Sequence, residues 1–267
     1  MQPERYNKVL VSTHLLAFDF DGTLFDEHEQ QVPEALYGLI QQAFDAGIRI
    51  ALITGRWELP PEFLARLPHH ARATSNGGQV RIQDEIHVQH LISQEDVEKV
   101  ARLTHTEAEL YAFSTTHFFT RAPQGARSQR WSRYLPVKPL EELVGAKVMK
   151  LNVDHISVPE LKSTLSEHLP HLTLTGGQVP YEHFLTITPT QANKAEALKY
   201  IASTLGVGLK DTTVFGDSDN DIEMLRLAGH AVQVGHMPYL QEVSDEQVDR
   251  PADLVAWLQN FLAGVKV

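Results

Sequence analysis

The sequence contains no cysteine, which excludes both a disulfide framework and a metal site built on thiolates. A chain without cysteine fits a reducing compartment, and we expect the protein to be cytoplasmic. Long hydrophobic runs are also missing. None approaches the roughly eighteen consecutive apolar residues of a membrane helix, so we expect no membrane partner. Basic residues are scarce: 23 Lys and Arg against 34 Asp and Glu leave a formal net charge of −11, which disfavours nucleic acid as a partner.

What remains is an ordinary globular composition, with 42% hydrophobic and 21% charged residues in a chain of 267. That length suffices for one large domain or two modest ones. Apolar strand-like runs alternate with amphipathic stretches in residues 1–79 and again in 188–267, which predicts a doubly wound, Rossmann-like parallel sheet of the α/β class. Residues 80–187 break this rhythm with several strand-like runs around two helices. We interpret them as an α+β domain inserted into a core that the two outer segments form.

Two carboxylates stand at the end of the first apolar strand, in the run Phe18-Asp19-Phe20-Asp21-Gly22. Carboxylates crowded at a strand end repel one another and lose water, so they usually need a metal ion or a shared proton. The alternative is an ordinary Asp-Gly turn, which is the commoner explanation of an isolated pair. Two observations favour chemistry instead. The strand is almost wholly apolar, as in a central parallel strand, and further acids follow a later strand.

Polar side chains also follow two other predicted strands. Thr54 comes directly after the second strand, and Asp217 and Asp221 follow a strand near the end of the chain. Since the carboxyl ends of parallel strands meet at one edge of the sheet, we expect these side chains to converge there. Lys194 opens the helix with which the α/β rhythm resumes, where it can point at the same edge.

Each of these residues also has a simpler interpretation. Thr54 can cap the helix that follows it, and a lone lysine such as Lys194 is more often a surface residue. The alternating acids of residues 217–221 look like a calcium-binding loop, but an EF-hand requires glycine where Ile222 stands. The order of these residues along the chain favours a common site.

Taken in order, they resemble the four signature motifs of the haloacid dehalogenase superfamily, in its phosphatase branch. Residues 19–24, Asp-Phe-Asp-Gly-Thr-Leu, match the first motif, and residues 53–56, Ile-Thr-Gly-Arg, resemble the second. Lys194 resembles the third motif, and residues 216–221, Gly-Asp-Ser-Asp-Asn-Asp, the fourth. The large insert between the second and third motifs is similar to the α/β cap of the Cof-type subfamily. The motifs are specific as an ordered set, whereas one lysine alone is a weak signal.

The resemblance implies a magnesium-dependent phosphatase that works through an aspartyl-phosphate intermediate. Asp19 would attack phosphorus, and Asp21 would protonate the leaving oxygen and then take a proton from the attacking water. The other implied roles are as follows: Mg²⁺ bound by the Asp19 and Asp217 carboxylates and the Asp21 backbone carbonyl; Asn220 and Asp221 orienting groups near the metal; phosphoryl oxygens bound by Thr54, Gly55 and Lys194; and substrate contacts from Arg56 and Asn76.

The expected partner is a small phosphorylated metabolite, with a sugar phosphate as the leading class. Cof-type relatives also act on pyridoxal phosphate, flavin mononucleotide and other nucleotides. One alternative is a phosphomutase-like transferase, which would use the same nucleophile but return the phosphoryl group to a sugar. Another is a noncatalytic phosphoacceptor of the response-regulator kind, although such domains are far shorter and lack an insert of this size. The sequence does not specify an oligomeric state.

One stretch of the insert is basic in an otherwise acidic chain. Residues 110–140 contain no Asp or Glu. The basic residues of this stretch are Arg121, Arg127, Arg130, Arg133 and Lys138. Exposed, solvated side chains are the ordinary explanation of such a cluster. The alternative is that one or two of them face the active site and bind the remote part of the substrate.

Overall fold

The structure, a computed structural model, describes residues 14–104, 108–121, 135–155, 157–177 and 182–264. These residues form two β-sheets, each covered by helices, and a large cavity is lined by residues from both parts. None of the described helices combines the length and the apolar character that crossing a membrane requires.

The helices and strands follow the apolar patterns of the sequence. In helix α1 (Glu34–Asp45), for example, Leu36, Ile40 and Ala43 are buried on one face, and the chain leaves the helix just before Gly47, whose φ is 84°. The strands of the described residues are β1 (Leu15–Phe18), β2 (Arg49–Ile53), β3 (Ala71–Thr74), β4 (Gln79–Ile82), β5 (Glu85–Gln89), β6 (Glu109–Ser114), β7 (Phe118–Thr120), β8 (Val137–Pro139), β9 (Val148–Asp154), β10 (Leu172–Gly176), β11 (Phe184–Pro189), β12 (Thr212–Gly216), β13 (His230–Val234) and β14 (Glu246–Val248). The α-helices are α1 (Glu34–Asp45), α2 (Pro61–Leu64), α3 (Gln94–Leu103), α4 (Val158–His168), α5 (Lys194–Thr204), α6 (Ile222–Leu227) and α7 (Leu254–Gly264).

The first sheet has eight strands in the order β14-β13-β12-β1-β2-β3-β4-β5. Its neighbours are parallel except in the β3-β4 and β4-β5 pairs. The central strands are buried on both faces, with α1 and α7 packed on one side and α5 and α6 on the other. Phe18 of β1 lies opposite Phe215 of β12 and Leu52 of β2. The residues that follow these three strands therefore reach the same edge of the sheet.

The second sheet has six strands in the order β10-β11-β9-β6-β7-β8 and is antiparallel except between β7 and β8. Helices α3 and α4 cover one face, where they share a hydrophobic core with Leu151 and Val153 of β9. Successive side chains of a strand point to opposite faces. Lys150, Asn152 and Asp154, the intervening residues of β9, accordingly line the cavity on the other face.

The predicted fold class is confirmed: a doubly wound parallel sheet carries an inserted α+β layer. The first sheet nevertheless continues through β4 and β5, past residue 80, where the sequence placed the start of the insert. This hairpin escaped prediction because its two-residue turn is Gln83-Asp84, with φ values of 49° and 67°. Asn-Gly or Asp-Gly is the usual signal of such a turn. A boundary near residue 90 agrees better with the strand pairing.

Candidate active site

The register of the parallel strands brings Asp19 and Asp217 to one edge of the eight-stranded sheet. Asp19 directly follows β1, and its backbone N–H donates to the carbonyl of Phe215 at 3.0 Å, which continues the pairing with β12 by one step. Asp217 directly follows β12. Two carboxylates that lie about 200 residues apart in the sequence thus become neighbours in the fold.

Lys194 joins the acids of this edge. Its ammonium donates to Oδ1 of Asp19 and to Oδ1 of Asp221, each at 2.6 Å. Lys194 is the first residue of α5, and the side chain of Asn193 caps that helix by accepting from the N–H of Glu196 at 2.8 Å. The Lys194 and Asp221 side chains are almost completely buried, so this ion pair is shielded from solvent.

Asp221 also holds the loop that carries Asp217. Its Oδ2 accepts hydrogen bonds from the backbone N–H groups of Asp217 and Ser218, both at 3.0 Å. The loop can wrap this closely because Gly216 has no side chain: a Cβ there would lie 2.6 Å from Cβ of Asp221. Both oxygens of Asp221 are therefore engaged, one with Lys194 and one with the backbone.

The Asp217 carboxylate packs against the turn that follows Asp21. Thr23 donates its hydroxyl to Oδ1 of Asp217 at 3.1 Å. Gly22 has a φ of 76°, and a Cβ at this position would lie 2.6 Å from Cγ of Asp217. Glycine is required here both for the left-handed backbone and for the close approach of the carboxylate.

Asp21, predicted as an acid and base, forms an ion pair with Arg56. Nε of Arg56 donates to Oδ2 of Asp21 at 2.8 Å, and Nη2 donates to Oδ1 at 2.5 Å. The guanidinium lies 4.9 Å from the ring centre of Phe20 and 5.3 Å from that of Phe25. These rings fix the plane of Arg56. Arg56, predicted to contact substrate, thus has a well-defined partner within the site.

The remaining predicted residues form the rim of the same edge. Thr54 is buried, and its hydroxyl accepts from the N–H of Arg56 at 3.1 Å, which closes a turn after β2; the next helix begins only at Pro61, so Thr54 does not cap it. Asn76 adopts a left-handed φ of 57° and accepts from the Asn220 side-chain amide at 3.2 Å. The Asn76 N–H donates to the Thr54 carbonyl at 3.0 Å. Gly55 lies between Thr54 and Arg56, and it lines the cavity as Asn76 and Asn220 do.

Burial and mutual repulsion set the electrostatics of the cluster. Burial raises the pKa of Asp19 to about 7, against the neighbouring ammonium of Lys194, which lowers it. Burial and the charges of Asp19 and Asp221 raise the pKa of Asp217 well above its ordinary value. Burial alone would lower the pKa of Lys194, but the Asp19 and Asp221 carboxylates outweigh this effect and raise it.

These carboxylates fit a divalent cation. Asp19, Asp217 and Asp221 each place one ligand oxygen within 4.8 Å of the others. Burial, with the neighbouring carboxylates, raises the pKa values of Asp19 and Asp217, and a bound cation would oppose both effects. Carboxylate oxygen is the donor that Mg²⁺ prefers. The buried cluster is therefore suited to a magnesium ion.

A cavity of about 830 Å³ opens over the cluster and is lined by both parts of the molecule. Asp19 and Asp21 lie on one side, and Lys150, Asn152 and Phe113 of the six-stranded sheet lie on the other. No role was predicted for these three residues. For Lys150 and Asn152 a signal was present in β9, where polar residues 150, 152 and 154 alternate with apolar ones in a strand that is paired on both sides.

The basic stretch of the insert is described only in part. Arg121 donates to the carbonyl of Ala101 and, at 3.2 Å, to the hydroxyl of Thr104, both at the end of α3. Lys138 pairs with Glu142 at 3.5 Å. Neither residue is among those that line the cavity. The remaining members, Arg127, Arg130 and Arg133, lie outside the described residues.

The sequence and the fold are similar to those of known phosphatases. The sequence matches the family model of the haloacid dehalogenase-like hydrolases over residues 16–250. An HMP-PP phosphatase from Cronobacter sakazakii is 29% identical over 237 residues, covering 84% of this chain and 85% of that protein. A 5-amino-6-(5-phospho-D-ribitylamino)uracil phosphatase from Bacillus subtilis is 25% identical over 252 residues, 81% of this chain and 86% of that protein. The fold is similar to that of the subclass IIB sugar phosphatase BT4131, with a TM-score of 0.80 at 21% identity over 93% of this chain and 99% of that one.

Proposed function

The chain belongs to the haloacid dehalogenase-like hydrolase family, and we propose that it hydrolyses a small phosphomonoester through a phosphorylated Asp19. The family and its named phosphatase relatives make the protein a phosphoric monoester hydrolase, as the motifs predicted. One observation carries the assignment of roles. Asp19 meets Lys194, Asp217 and Asp221 at the end of parallel strands and lines the large cavity.

Asp19 is the proposed nucleophile. A carboxylate oxygen attacks phosphorus, the bond from phosphorus to the leaving oxygen breaks, and an aspartyl phosphate forms. Lys194 fixes the orientation of Asp19 through the 2.6 Å hydrogen bond. Together with Thr54 and the N–H of Gly55, Lys194 binds the phosphoryl oxygens, whose charge must be stabilised during transfer. Because Asp221 also holds the ammonium, Lys194 is positioned before substrate arrives.

Asp21 is the proposed acid and base. It gives a proton to the leaving oxygen, and it later takes one from the water that cleaves the aspartyl phosphate, which regenerates Asp19 and releases inorganic phosphate. Arg56 contacts both oxygens of Asp21 in this structure. At least one of these oxygens must leave Arg56 to reach the substrate. We therefore propose that Arg56 holds Asp21 in place after the first proton transfer and before the second.

Magnesium is the proposed cofactor. The carboxylates of Asp19 and Asp217 and the backbone carbonyl of Asp21 would hold the ion. When bound, it would neutralise charge on the transferred phosphoryl group. Asp221 is proposed to act from outside the ligand set, because Lys194 and two backbone N–H groups already use its oxygens. Asn220, which bonds to Asn76, is proposed to order the same loop.

A sugar phosphate is the proposed substrate class. Asn152 and Thr186 present amide and hydroxyl groups on the cavity face of the insert, with the Thr186 hydroxyl 3.1 Å from Oδ1 of Asn152. Groups of this kind donate to and accept from sugar hydroxyls. The named relatives include phosphatases for HMP-PP and for a ribitylaminouracil phosphate, which also supports a small phosphorylated metabolite as the substrate.

The function is tested by a phosphate-release screen over many phosphoesters, with and without Mg²⁺, beside the Asp19→Asn variant. We expect wild-type protein to release inorganic phosphate only with the metal and the variant to release essentially none. Equal rates for the two proteins would contradict the mechanism. A sugar phosphate that is labelled in its phosphoryl group separates hydrolysis from mutase activity. Recovery of that label on an isomeric sugar phosphate, and not as inorganic phosphate, would identify a mutase.

A further inference from the structure

Lys150 is a buried lysine of the inserted sheet that lines the cavity and has no acidic partner among the described residues. The residue is 6% exposed, and its ammonium donates to the carbonyl of Gly55 at 2.8 Å. Nζ also lies 5.2 Å from the centre of the Phe113 ring. Within the described parts of the chain, no carboxylate oxygen lies within 4.0 Å of this ammonium, whereas the ammonium of Lys194 has two such partners.

We propose that Lys150 is a specificity-determining residue that binds a second anionic group of the substrate, a carboxylate or a further phosphate on the leaving-group side of the reacting phosphate. This inference rests on the proposed phosphatase function and deepens it. An ammonium has three N–H donors, and the carbonyl of Gly55 takes one of them. A buried cation without a counterion is costly, and an anionic ligand offsets that cost.

The charges around the cavity give a second anion few other places to bind. Its described lining contains five carboxylates besides those of Asp19 and Asp21, so acidic side chains outnumber basic ones on this wall. The five belong to Glu27, Glu58, Asp154, Glu182 and Asp219. Arg56 is the other Lys or Arg of the described lining, and it is bonded to Asp21. Lys150 is thus the place on the described wall where an added negative charge is best compensated.

The location of Lys150 indicates which part of the substrate it meets. Its hydrogen bond to Gly55 places the ammonium beside the proposed phosphate-binding segment. Burial lowers the pKa of Lys150 to about 8, while the nearby carboxylate of Asp21 opposes this shift and Arg56 adds to it. Asp21 is the proposed proton donor to the leaving oxygen. Lys150 lines the same cavity as Asp21, from the inserted sheet, which places it on the leaving-group side. With a pKa of about 8, it is protonated at neutral pH.

The test uses substrate pairs that differ in a second anion: 3-phosphoglycerate against glycerol 3-phosphate for a carboxylate, and ADP against AMP for a phosphate. Wild-type protein should favour the more anionic member of at least one pair. Lys150→Met should lower that preference at least about tenfold, the equivalent of one charged hydrogen bond, mainly through KM. Lys150→Arg should keep most of the preference. Lys147→Met, which removes an exposed lysine three residues earlier, is the matched control and should leave it unchanged.

The pair that shows the preference identifies the second anion as a carboxylate or a phosphate. Equal losses of kcat/KM for both members of each pair in Lys150→Met would mean that Lys150 only positions Gly55, which overturns the proposal. Absence of a preference in the wild type overturns it as well. Calorimetric titration of the same compounds into Asp19→Asn protein, with and without Lys150→Met, measures the preference without turnover. A preference in binding without phosphate release from the wild type would refute the proposed function and support the role of Lys150.

Discussion

The molecule contains two buried lysines near the proposed site, one beside each sheet, and the two lysines have different partners. Lys194, beside the eight-stranded sheet, is bonded to Asp19 and Asp221. Lys150, in the six-stranded sheet, is bonded to a backbone carbonyl and lies near an aromatic ring. The reacting groups are thus held in place by one another, whereas the inserted sheet presents groups with bonding capacity left for a ligand. Changes beside the first sheet should affect all substrates alike, and changes in the second should alter the ranking of substrates.

The largest effect is expected from removal of the nucleophile. Asp19→Asn should lower kcat/KM at least on the order of 10⁴-fold, because the aspartyl phosphate can no longer form. The loss should be the same for every substrate in a phosphate-release assay. Asp45→Asn, an exposed carboxylate on α1, is the control and should retain wild-type activity. A loss of kcat/KM that varied strongly among substrates would contradict the proposal that changes beside the first sheet affect all substrates alike.

Metal removal should be nearly as damaging. A chelator should lower phosphate release on the order of 10³-fold, and added Mg²⁺ should restore it, because the buried carboxylates and the phosphoryl group then lack compensating charge. Asp217→Asn should weaken Mg²⁺ binding about 100-fold in calorimetric titration. Asp219→Asn, two residues further along the same loop, should retain the affinity of the wild type. Full activity in chelator would contradict the proposed cofactor.

The two lysines should differ sharply in their effect on stability. Lys194→Met leaves the buried carboxylates of Asp19 and Asp221 without a cation, and we expect the free energy of unfolding at pH 7 to fall by about 3 kcal/mol. Lys150→Met removes a buried charge that has no carboxylate partner in the described part of the chain, so stability should stay within about 1 kcal/mol of the wild type or increase. Urea denaturation of both variants measures the difference. Equal destabilisation by the two changes would remove the contrast.

The pH dependence of stability should also identify Lys150. Burial lowers its pKa to about 8 in the folded protein, from the ordinary value of 10.5, with Asp21 opposing the shift and Arg56 adding to it. Between these two pH values the unfolded chain binds more protons, so stability rises with pH. Below pH 8 both states are protonated, and the full burial cost remains. The free energy of unfolding of the wild type, relative to that of Lys150→Met, should therefore increase by about 2 kcal/mol between pH 7 and pH 10. A constant difference across this range would show that Lys150 is not desolvated.

The smallest effect should come from the neutral polar groups of the inserted sheet. Asn152→Ala removes an amide from the cavity face, and we expect KM for sugar phosphates to rise about fivefold while kcat changes little, the loss of one neutral hydrogen bond. Asn260→Ala, on the exposed side of α7, is the control. A fall in kcat with unchanged KM would place Asn152 among the groups that assist the reaction.

The position of the proposed site at one edge of the eight-stranded sheet was predictable, because its residues directly follow the ends of strands. Apolar runs that stop at Asp19, Thr54 and Asp217 predict parallel central strands, and parallel strands bring these residues to one edge whatever lies between them. The structure brings Asp19 and Asp217 together, along with Lys194, and Thr54 directly follows the neighbouring strand β2. The roles of these residues in the reaction are predictions.

The cavity face of the insert was harder to predict because nothing in its sequence marks which sheet face meets the core. The alternation of Lys150 and Asn152 with apolar residues indicates a two-faced strand, but either water or a ligand can occupy the polar face. The β4-β5 hairpin was missed for a local reason, since Gln83 and Asp84 occupy left-handed positions that Asn and Gly usually fill. The ion pair between Arg56 and Asp21 depends on the orientations of two side chains, which the spacing of the motifs does not specify.

The return of the chain from the inserted sheet bears on how this protein can be recombined with its relatives. β11 ends at Pro189, and only residues 190–193 separate it from Lys194. Asn193, the last of them, is the cap of the helix that Lys194 opens. A foreign insert grafted onto this core must therefore join before the cap. A junction placed after Asn193 would replace this cap together with the inserted domain. The helix would then lack the residue that stabilises its start, where Lys194 is directed at Asp19.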